Sequence, residues 1–292
     1  MKNELKLIGY ASGIAANDTG CGDGPLALQQ SDLLLQLASH AIHAQWLDIL
    51  TPDSKFLANK VLCVADLCKR LARHTQNLIE QHQPFVVMGG DHSAAIGTWS
   101  GVAQAMSQQG PIGLIWIDAH LDSHTPESSE TGNIHGMPVA CLLGQGDLRL
   151  TGIAMNQAKV LPQNVTIIGV RSFEQGELSL LKKLGVKIIF REQLEKLSLA
   201  EAFNEARIRA MDGTVGYGIS IDLDAIDPQQ APGVGTPEKN GISAKLLYEC
   251  IKGYAADSRF LGAEIVEFNP HHDKNHLTQN VILEILIALM GK

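Results

Sequence analysis

The chain has 292 residues, 45% apolar and 18% charged, enough hydrophobic sequence for a large core and too little charge for a disordered polymer. Its net charge is −8 with cationic residues dispersed, which excludes a basic surface for nucleic acid or anionic membrane and favours a cationic ligand. No apolar run reaches the roughly 18 residues of a membrane span, the start Met1-Lys2-Asn3-Glu4-Leu5 has no secretion-signal pattern, and five Cys give neither CxxC spacing nor a disulfide framework. A reducing, cytoplasmic setting is expected, with Cys63, Cys141 and Cys250 as core thiols.

In chain order, Leu5 to Tyr10 reads as a strand running into a small-residue loop, Ala11 to Pro25, where Gly20, Gly22 and Gly24 crowd near Cys21. The spacing matches neither G-x-G-x-x-G nor a P-loop, so a flexible loop at the rim of a site is expected rather than a phosphate cradle. Leu26 to His43 has helical periodicity, and Trp46 to Leu50 reads as a short strand. Asn59 to Gln81 is a long amphipathic helix with Val61, Val64, Leu67, Leu71 and Leu78 on its apolar face. Pro84 to Met88 is a buried strand ending in Gly89-Gly90-Asp91-His92-Ser93, followed by a helix from Ala94 to Gln108. A strand from Ile112 to Ile117 ends in Asp118-Ala119-His120-Leu121-Asp122; a polar loop, Gly132-Asn133-Ile134-His135-Gly136 and a helix from Pro138 to Leu143 follow.

Val165 to Val170 is a strand, Arg171 to Glu177 a charged loop, Leu178 to Leu184 a helix and Val186 to Phe190 a strand. Leu194 to Met211 is helical, with Glu201, Glu205, Arg207 and Arg209 on its solvated face. The strand Gly216 to Ile221 runs into Asp222-Leu223-Asp224-Ala225-Ile226-Asp227-Pro228. A helix from Ser243 to Ala255, a strand from Leu261 to Val266, the segment Glu267-Phe268-Asn269-Pro270 and a helix from Thr278 to Met290 complete the chain. This alternation predicts an α/β fold on a mostly parallel sheet with helices on both faces, as one domain over residues 1–292. Every polar candidate follows a strand at its carboxyl end, where open parallel sheets bind ligands.

Three strand ends carry metal-type ligands. Asp118, His120 and Asp122 occupy alternate positions, so an extended backbone would project them to one side. Asp222 and Asp224 repeat the spacing, and His92 follows a glycine pair that permits a tight turn. Alone, His92 could be a hydrogen-bonded core histidine and Asp222 a helix cap. Asp91 suits an orienting role and Asp227 a turn. Together, four carboxylates and two imidazoles without a thiolate suit Mn²⁺ or a similar divalent ion, and six such ligands suffice for two ions.

Gly89-Gly90-Asp91-His92, Asp118-Ala119-His120-Leu121-Asp122 and Ser220-Ile221-Asp222-Leu223-Asp224-Ala225-Ile226-Asp227-Pro228 resemble the metal signatures of the ureohydrolase superfamily, which includes arginases, agmatinases, guanidinobutyrases and formiminoglutamases. The resemblance extends from about Leu7 to Pro270. It implies a three-layer α/β sandwich on a parallel, roughly eight-stranded sheet, shared with deacetylase-like proteins, and two Mn²⁺ per subunit. His92, Asp118, Asp122 and Asp222 would hold one ion and His120, Asp118, Asp222 and Asp224 the other, with Asp118 and Asp222 bridging. Glu267, in the family's Glu-x-Asn-Pro, would hold a guanidinium, Asp122 would relay a proton, and His135 would be the proton shuttle.

Within the superfamily, Gly132-Asn133-Ile134-His135-Gly136 and Arg171 to Glu177 look most like arginases. Asn133, Thr131 in place of a usual Ser, His124 in place of the Asn of animal arginases, Glu174 in place of a usual Asp, and Glu177 would meet the amino-acid end of the substrate. Thr236, in Gly235-Thr236-Pro237, would lie beside the guanidinium. The implied reaction is hydrolysis of L-arginine to L-ornithine and urea by a homo-oligomer, trimer or hexamer. Alternatives are agmatine or another guanidino acid as substrate, a formiminoglutamase, a deacetylase-like amide hydrolase, or a metal-binding relative without turnover.

Overall fold

A computed structural model describes residues 4–292; Met1, Lys2 and Asn3, the start of the segment read for a secretion signal, lie outside the described residues. Along the chain, β1 (Leu5–Tyr10) leads through a 3-10 turn (Thr19–Asp23) into α1 (Gly24–Gln30) and α2 (Leu33–Ser39). There follow β2 (Ala44–Leu50), α3 (Lys60–Glu80), β3 (Phe85–Gly89), α4 (Ala94–Met106), β4 (Ile112–Ile117), and the short α5 (Pro138–Leu142) and α6 (Leu148–Thr151). The remainder is β5 (Val160–Val170), α7 (Gln175–Leu184), β6 (Lys187–Phe190), α8 (Leu199–Met211), β7 (Gly216–Asp222), α9 (Ala244–Ile251), β8 (Phe260–Val266) and α10 (Leu277–Leu289).

All eight strands pair in parallel, in the order β2-β1-β3-β8-β7-β4-β5-β6. Every residue of β3, β4 and β7 is buried, as expected of central parallel strands covered on both faces. Alternation along these strands divides the core. Ile8, Val87 and Trp116 pack with α3 and α4 through Leu67, Leu71 and Val102. Leu7, Met88, Ile115 and Ile117 pack on the other side with α8 and α10 through Phe203, Ile282 and Leu286. The result is the expected three-layer α/β arrangement. Close approach is enforced at Gly218 of β7, where an added Cβ would stand 1.9 Å from the Trp99 ring of α4.

Several expected boundaries shift for local reasons. The helix expected from Leu26 to His43 breaks into α1 and α2 where Ser31 turns extended and its hydroxyl donates to Leu28 O at 2.8 Å. The helix expected from Leu194 becomes a 3-10 turn (Arg191–Glu195) and α8, which starts at a Ser198/Glu201 capping box. The helix expected to Ala255 stops at Ile251, before Gly253 at φ 79°. Helix α7 begins three residues early because Glu174 and Glu177 form its capping box. Cys63 and Cys141 are buried as expected, while Cys250 is only half-buried; Cys21 and Cys68 are buried as well. Among the described residues no helix is long and apolar enough to cross a membrane.

Strands β3, β8, β7 and β4 are consecutive neighbours in the sheet although far apart in sequence. Neighbouring strands lie about 4.8 Å apart. Their carboxyl ends therefore bring residues 92, 267, 222–224 and 118–122 within side-chain reach of one another.

Candidate metal centre and active site

At the end of β3 the chain turns over the β1 loop: Gly90 N donates to Tyr10 O at 2.7 Å and Asp91 N to Ser12 O at 2.9 Å. A Cβ on Gly90 would stand 2.1 Å from Ser12 O, so this turn requires glycine. Asp91 is an orienting residue, accepting from Ala15 N at 3.1 Å, Ser93 N at 3.0 Å and the Ser93 hydroxyl. Burial pushes its carboxyl up to about 6.

His92 and the aspartates meet as the sequence predicts. Asp122 Oδ2 and Asp222 Oδ2 lie 3.0 Å from His92 Nδ1, and Asp118 Oδ2 lies at 3.3 Å. His120 Nδ1 lies 3.1 Å from Asp224 Oδ2 and 3.5 Å from Asp118 Oδ1. Asp118 thus turns one oxygen to each imidazole, the disposition of a bridging ligand. Asp222 groups with His92 but not with the trio Asp118, His120 and Asp224. Its Oδ2 faces His92 while Oδ1 accepts Asp224 N at 2.9 Å. The route to convergence differs from simple strand alternation: β4 ends at Ile117, and Asp122 takes a left-handed φ of 48°.

The cluster fits divalent cations on its own chemistry. His92 Nε2 lies 2.9 Å from Ser220 Oγ, which donates to Glu264 Oε1 at 2.7 Å; Trp99 Nε1 donates to the same oxygen at 2.6 Å. With the Ser220 hydroxyl directed at Glu264, His92 Nε2 must donate, so in the neutral ring it is Nδ1 that offers a lone pair to a cation. Among the described residues no aligned hydrogen bond reaches that buried Nδ1, although three carboxylate oxygens stand 3.0–3.3 Å from it. Nitrogen and oxygens converge as ligands do around a shared point.

The titration of the cluster agrees. Burial would lower His92 and His120, yet the facing carboxylates hold both well above the ordinary imidazole value. Burial and the Asp118 charge raise Asp122 to about 6. Burial, then Asp224 and Asp118, raise Asp222 well above the carboxylate range. Burial opposes ionisation of Asp118 too, but His120 and His92 outweigh it and hold that carboxyl low. Metal-free, the site draws in protons where cations would neutralise it.

A cavity of about 300 Å³ opens onto this cluster. His120, Asp122, Asp222, Asp224, His135, Glu267, His124, Thr131, Asn133, Glu174, Glu177 and Thr236 line it, and His92 and Asp118 lie fully buried beside them. Glu267 follows β8 at φ 66°, its N–H held by Gly90 O at 2.7 Å. Its Oε1 accepts from His92 N at 2.9 Å and faces His135 Nδ1 at 3.2 Å; its Oε2 faces Cys21 Sγ at 3.0 Å. Burial opposes the charge on Glu267, but these donors outweigh it and hold the carboxyl below its usual value. Burial likewise works against His135, and Glu267 overcomes it, raising the imidazole to about 9.

At the outer end, His124 Nε2 contacts Glu174 Oε2 and lies 3.4 Å from Glu177 Oε2, with Nδ1 3.1 Å from Ser128 Oγ. Glu174 is exposed. Glu177 is buried and accepts Ser123 N and Glu174 N, each at 3.0 Å, so it also holds the loop together; burial pushes it up to about 7. Thr131 Oγ1 accepts Asn133 N at 3.2 Å. Thr236, expected beside the guanidinium, directs its hydroxyl to Asp224 Oδ2 at 3.0 Å and so orients a metal-type ligand.

The expected flexible loop after β1 does reach the rim, through Ala16, Asn17 and Asp18, but its glycines mark tight packing. A Cβ on Gly22 would stand 2.7 Å from Gly13 N. Ser172 and Phe173 also line the cavity; they lie in the Arg171 to Glu177 segment that the resemblance points to, although only Glu174 and Glu177 of it are expected as site residues. Ser220 could have been found from its alternate spacing with Asp222 and Asp224.

The arginase family profile matches residues 3–291. The chain is 37% identical over 298 residues to arginase from Bacillus caldovelox, covering 99% of this chain and 98% of that protein. It is 33% identical over 301 residues to arginase from Brevibacillus brevis, covering 100% and 99%. The crystal structure of arginase from Bacillus subtilis superposes with a TM-score of 0.90 at 32% identity, with 99% of each chain covered. With that likeness spanning the whole sheet and the paired Asp/His cluster at its carboxyl edge, the chain belongs to the arginase family.

Proposed function

We propose that this chain hydrolyses the guanidinium group of L-arginine to L-ornithine and urea, as one catalytic domain carrying two Mn²⁺. The carrying observation is that Glu267 and His135 stand on the same cavity as the two clusters sharing Asp118, with the Glu267 carboxylate outside both. An anion that is not a metal ligand, in a chain of net charge −8, suits a cationic substrate. Carboxylates and imidazoles without thiolate favour Mn²⁺. A pair of divalent ions supplies Lewis-acid polarisation and activation of water at neutral pH. Those ions would be held by His92, Asp118, Asp122 and Asp222 on one side and Asp118, His120, Asp222 and Asp224 on the other.

Glu267 takes the guanidinium through charge-assisted hydrogen bonds and sets its carbon against the cluster. As water adds to that carbon and makes it tetrahedral, Asp122, with one oxygen toward His92, takes the water's proton and passes it to the substrate nitrogen whose bond to the carbon then breaks. His135, which faces Glu267 before substrate enters, delivers the proton the departing amine requires. Glu174 and Glu177 meet the substrate's ammonium group, and His124, Thr131 and Asn133 its carboxylate. The test is urea release from arginine, agmatine, guanidinobutyrate and guanidinopropionate with Mn²⁺ added. Arginine is expected to be turned over best. Activity confined to agmatine would overturn the substrate, and no urea from any of them would overturn the reaction.

A further inference from the structure

Cys21 lies in the 3-10 turn Thr19–Asp23, which presses against the segment after β8. The approach is close: a Cβ on Gly20 would stand 2.6 Å from Asn269 Nδ2, and one on Gly24 2.4 Å from Phe268 O. Fully buried, the Cys21 side chain meets the Glu267 carboxylate with Sγ 3.0 Å from Oε2, and lies 3.6 Å from the Glu267 carbonyl oxygen. Gly235 closes on the same pair. A Cβ there would stand 3.2 Å from Sγ and 3.5 Å from Oε2. Burial, with the Glu267 charge adding to it, pushes the thiol far above its ordinary range, so the sulfur keeps its proton and donates.

We infer that Cys21 is a positioning residue for the guanidinium-binding carboxylate: its S–H holds one oxygen of Glu267 while the His92 N–H holds the other. The inference rests on the proposed function, which makes Glu267 the guanidinium anchor. A carboxylate offers about four lone-pair sites, and its terminal torsion is soft. One donor on each oxygen fixes the carboxylate plane and leaves a further site on each oxygen for two guanidinium N–H groups. At Oε1 that site now faces His135 Nδ1 at 3.2 Å. Substrate entry exchanges this contact for a guanidinium N–H and leaves the thiol in place. A valine at position 21 removes the donor, with one added methyl carbon, and would release Oε2 to rotate.

The experiment compares the Mn²⁺-loaded wild-type chain with Cys21→Val and Cys21→Ser. KM for arginine, kcat, the inhibition constant of guanidinium ion and metal content are measured. Cys21→Val is expected to raise both KM and the inhibition constant about tenfold, the low end for a hydrogen bond to a charged group. Its kcat should fall less, with wild-type metal content. Cys21→Ser, which keeps a donor, should stay within about threefold of wild type on the same basis. Infrared spectroscopy isolates the Cys21 S–H stretch as the difference between wild type and Cys21→Ser, and Glu267→Gln should move that band to higher frequency. Unchanged KM and inhibition constant in Cys21→Val, or a band indifferent to Glu267→Gln, overturns the inference. If the wild type released no urea from any guanidino compound, the proposed function would fail. The infrared shift needs no turnover and would still decide whether the thiol holds Glu267.

Discussion

Replacing Ser220 by Ala tests whether the cluster is held from behind by hydrogen bonds. Ser220 is fully buried between His92 Nε2 at 2.9 Å and Glu264 Oε1 at 2.7 Å, and His92 stacks on Trp116 with ring centroids 4.2 Å apart. Without the hydroxyl, the His92 N–H has no acceptor, and Glu264 Oε1 keeps only Trp99 Nε1 at 2.6 Å. Among the described residues Glu264 Oε2 has no hydrogen-bond partner, so the carboxylate has little with which to compensate. An orphaned buried donor costs about 1–3 kcal/mol, which sets the loss in the metal-free fold at roughly 2 kcal/mol. At about 2 °C per kcal/mol for a large domain, the melting temperature should fall by roughly 4 °C. The imidazole would also be free to change tautomer, presenting N–H where a lone pair is needed. Loss of such an outer partner weakens metal binding about 10- to 100-fold, or roughly 1.4–2.7 kcal/mol. Competition against a fluorescent chelator measures the Mn²⁺ affinity, and thermal unfolding in excess chelator measures the fold. Wild-type affinity and melting in Ser220→Ala would refute the claim that this hydrogen-bonded chain sets the orientation of His92.

Metal-free protein should show the His135–Glu267 pair in its pH dependence. With His135 raised from 6.5 to about 9, the folded chain binds a proton that the unfolded chain has released across that window. The contribution is therefore full below 6.5 and lost as pH rises through about 9. Urea unfolding of wild type and His135→Ala should show a difference that shrinks over this range; a constant difference would contradict the pairing. In the loaded enzyme, His135→Ala should lower kcat by about 10²–10⁴ while retaining metal, and simultaneous loss of metal would contradict its shuttle role. Lys159 is buried with Nζ donating to Thr151 O at 2.5 Å, Met155 O at 2.6 Å and Gln157 O at 2.8 Å, so Lys159→Met should cost about 3 kcal/mol in chemical unfolding. Gly218→Ala would force a methyl into the Trp99 ring and should destabilise by about 3 kcal/mol while disturbing the Trp99 bond to Glu264; a variant as stable as wild type would show that α4 yields more readily than its packing implies.

The sequence by itself determined the layer architecture and singled out the acids and imidazoles that meet at the carboxyl edge of the sheet. Apolar runs such as Ile112–Ile117 alternate with amphipathic helices such as Lys60–Glu80, and few arrangements other than a parallel sheet covered on both faces can bury them. Asp118, His120, Asp122, Asp222, Asp224 and His92 were legible because like-charged acids at strand ends are costly without a cation between them. Tertiary structure alone decided strand order, and with it that β8 and β7 stand between β3 and β4 and bring Glu267 beside His92. It also decided the supporting contacts. Cys21 meets Glu267 across 246 positions of sequence, and Trp99 meets Glu264 across 165. Thr236 turns to Asp224, and Glu177 serves a capping box as well as the cavity. Local composition records which groups need a partner; only the packing of distant segments selects which partner each receives.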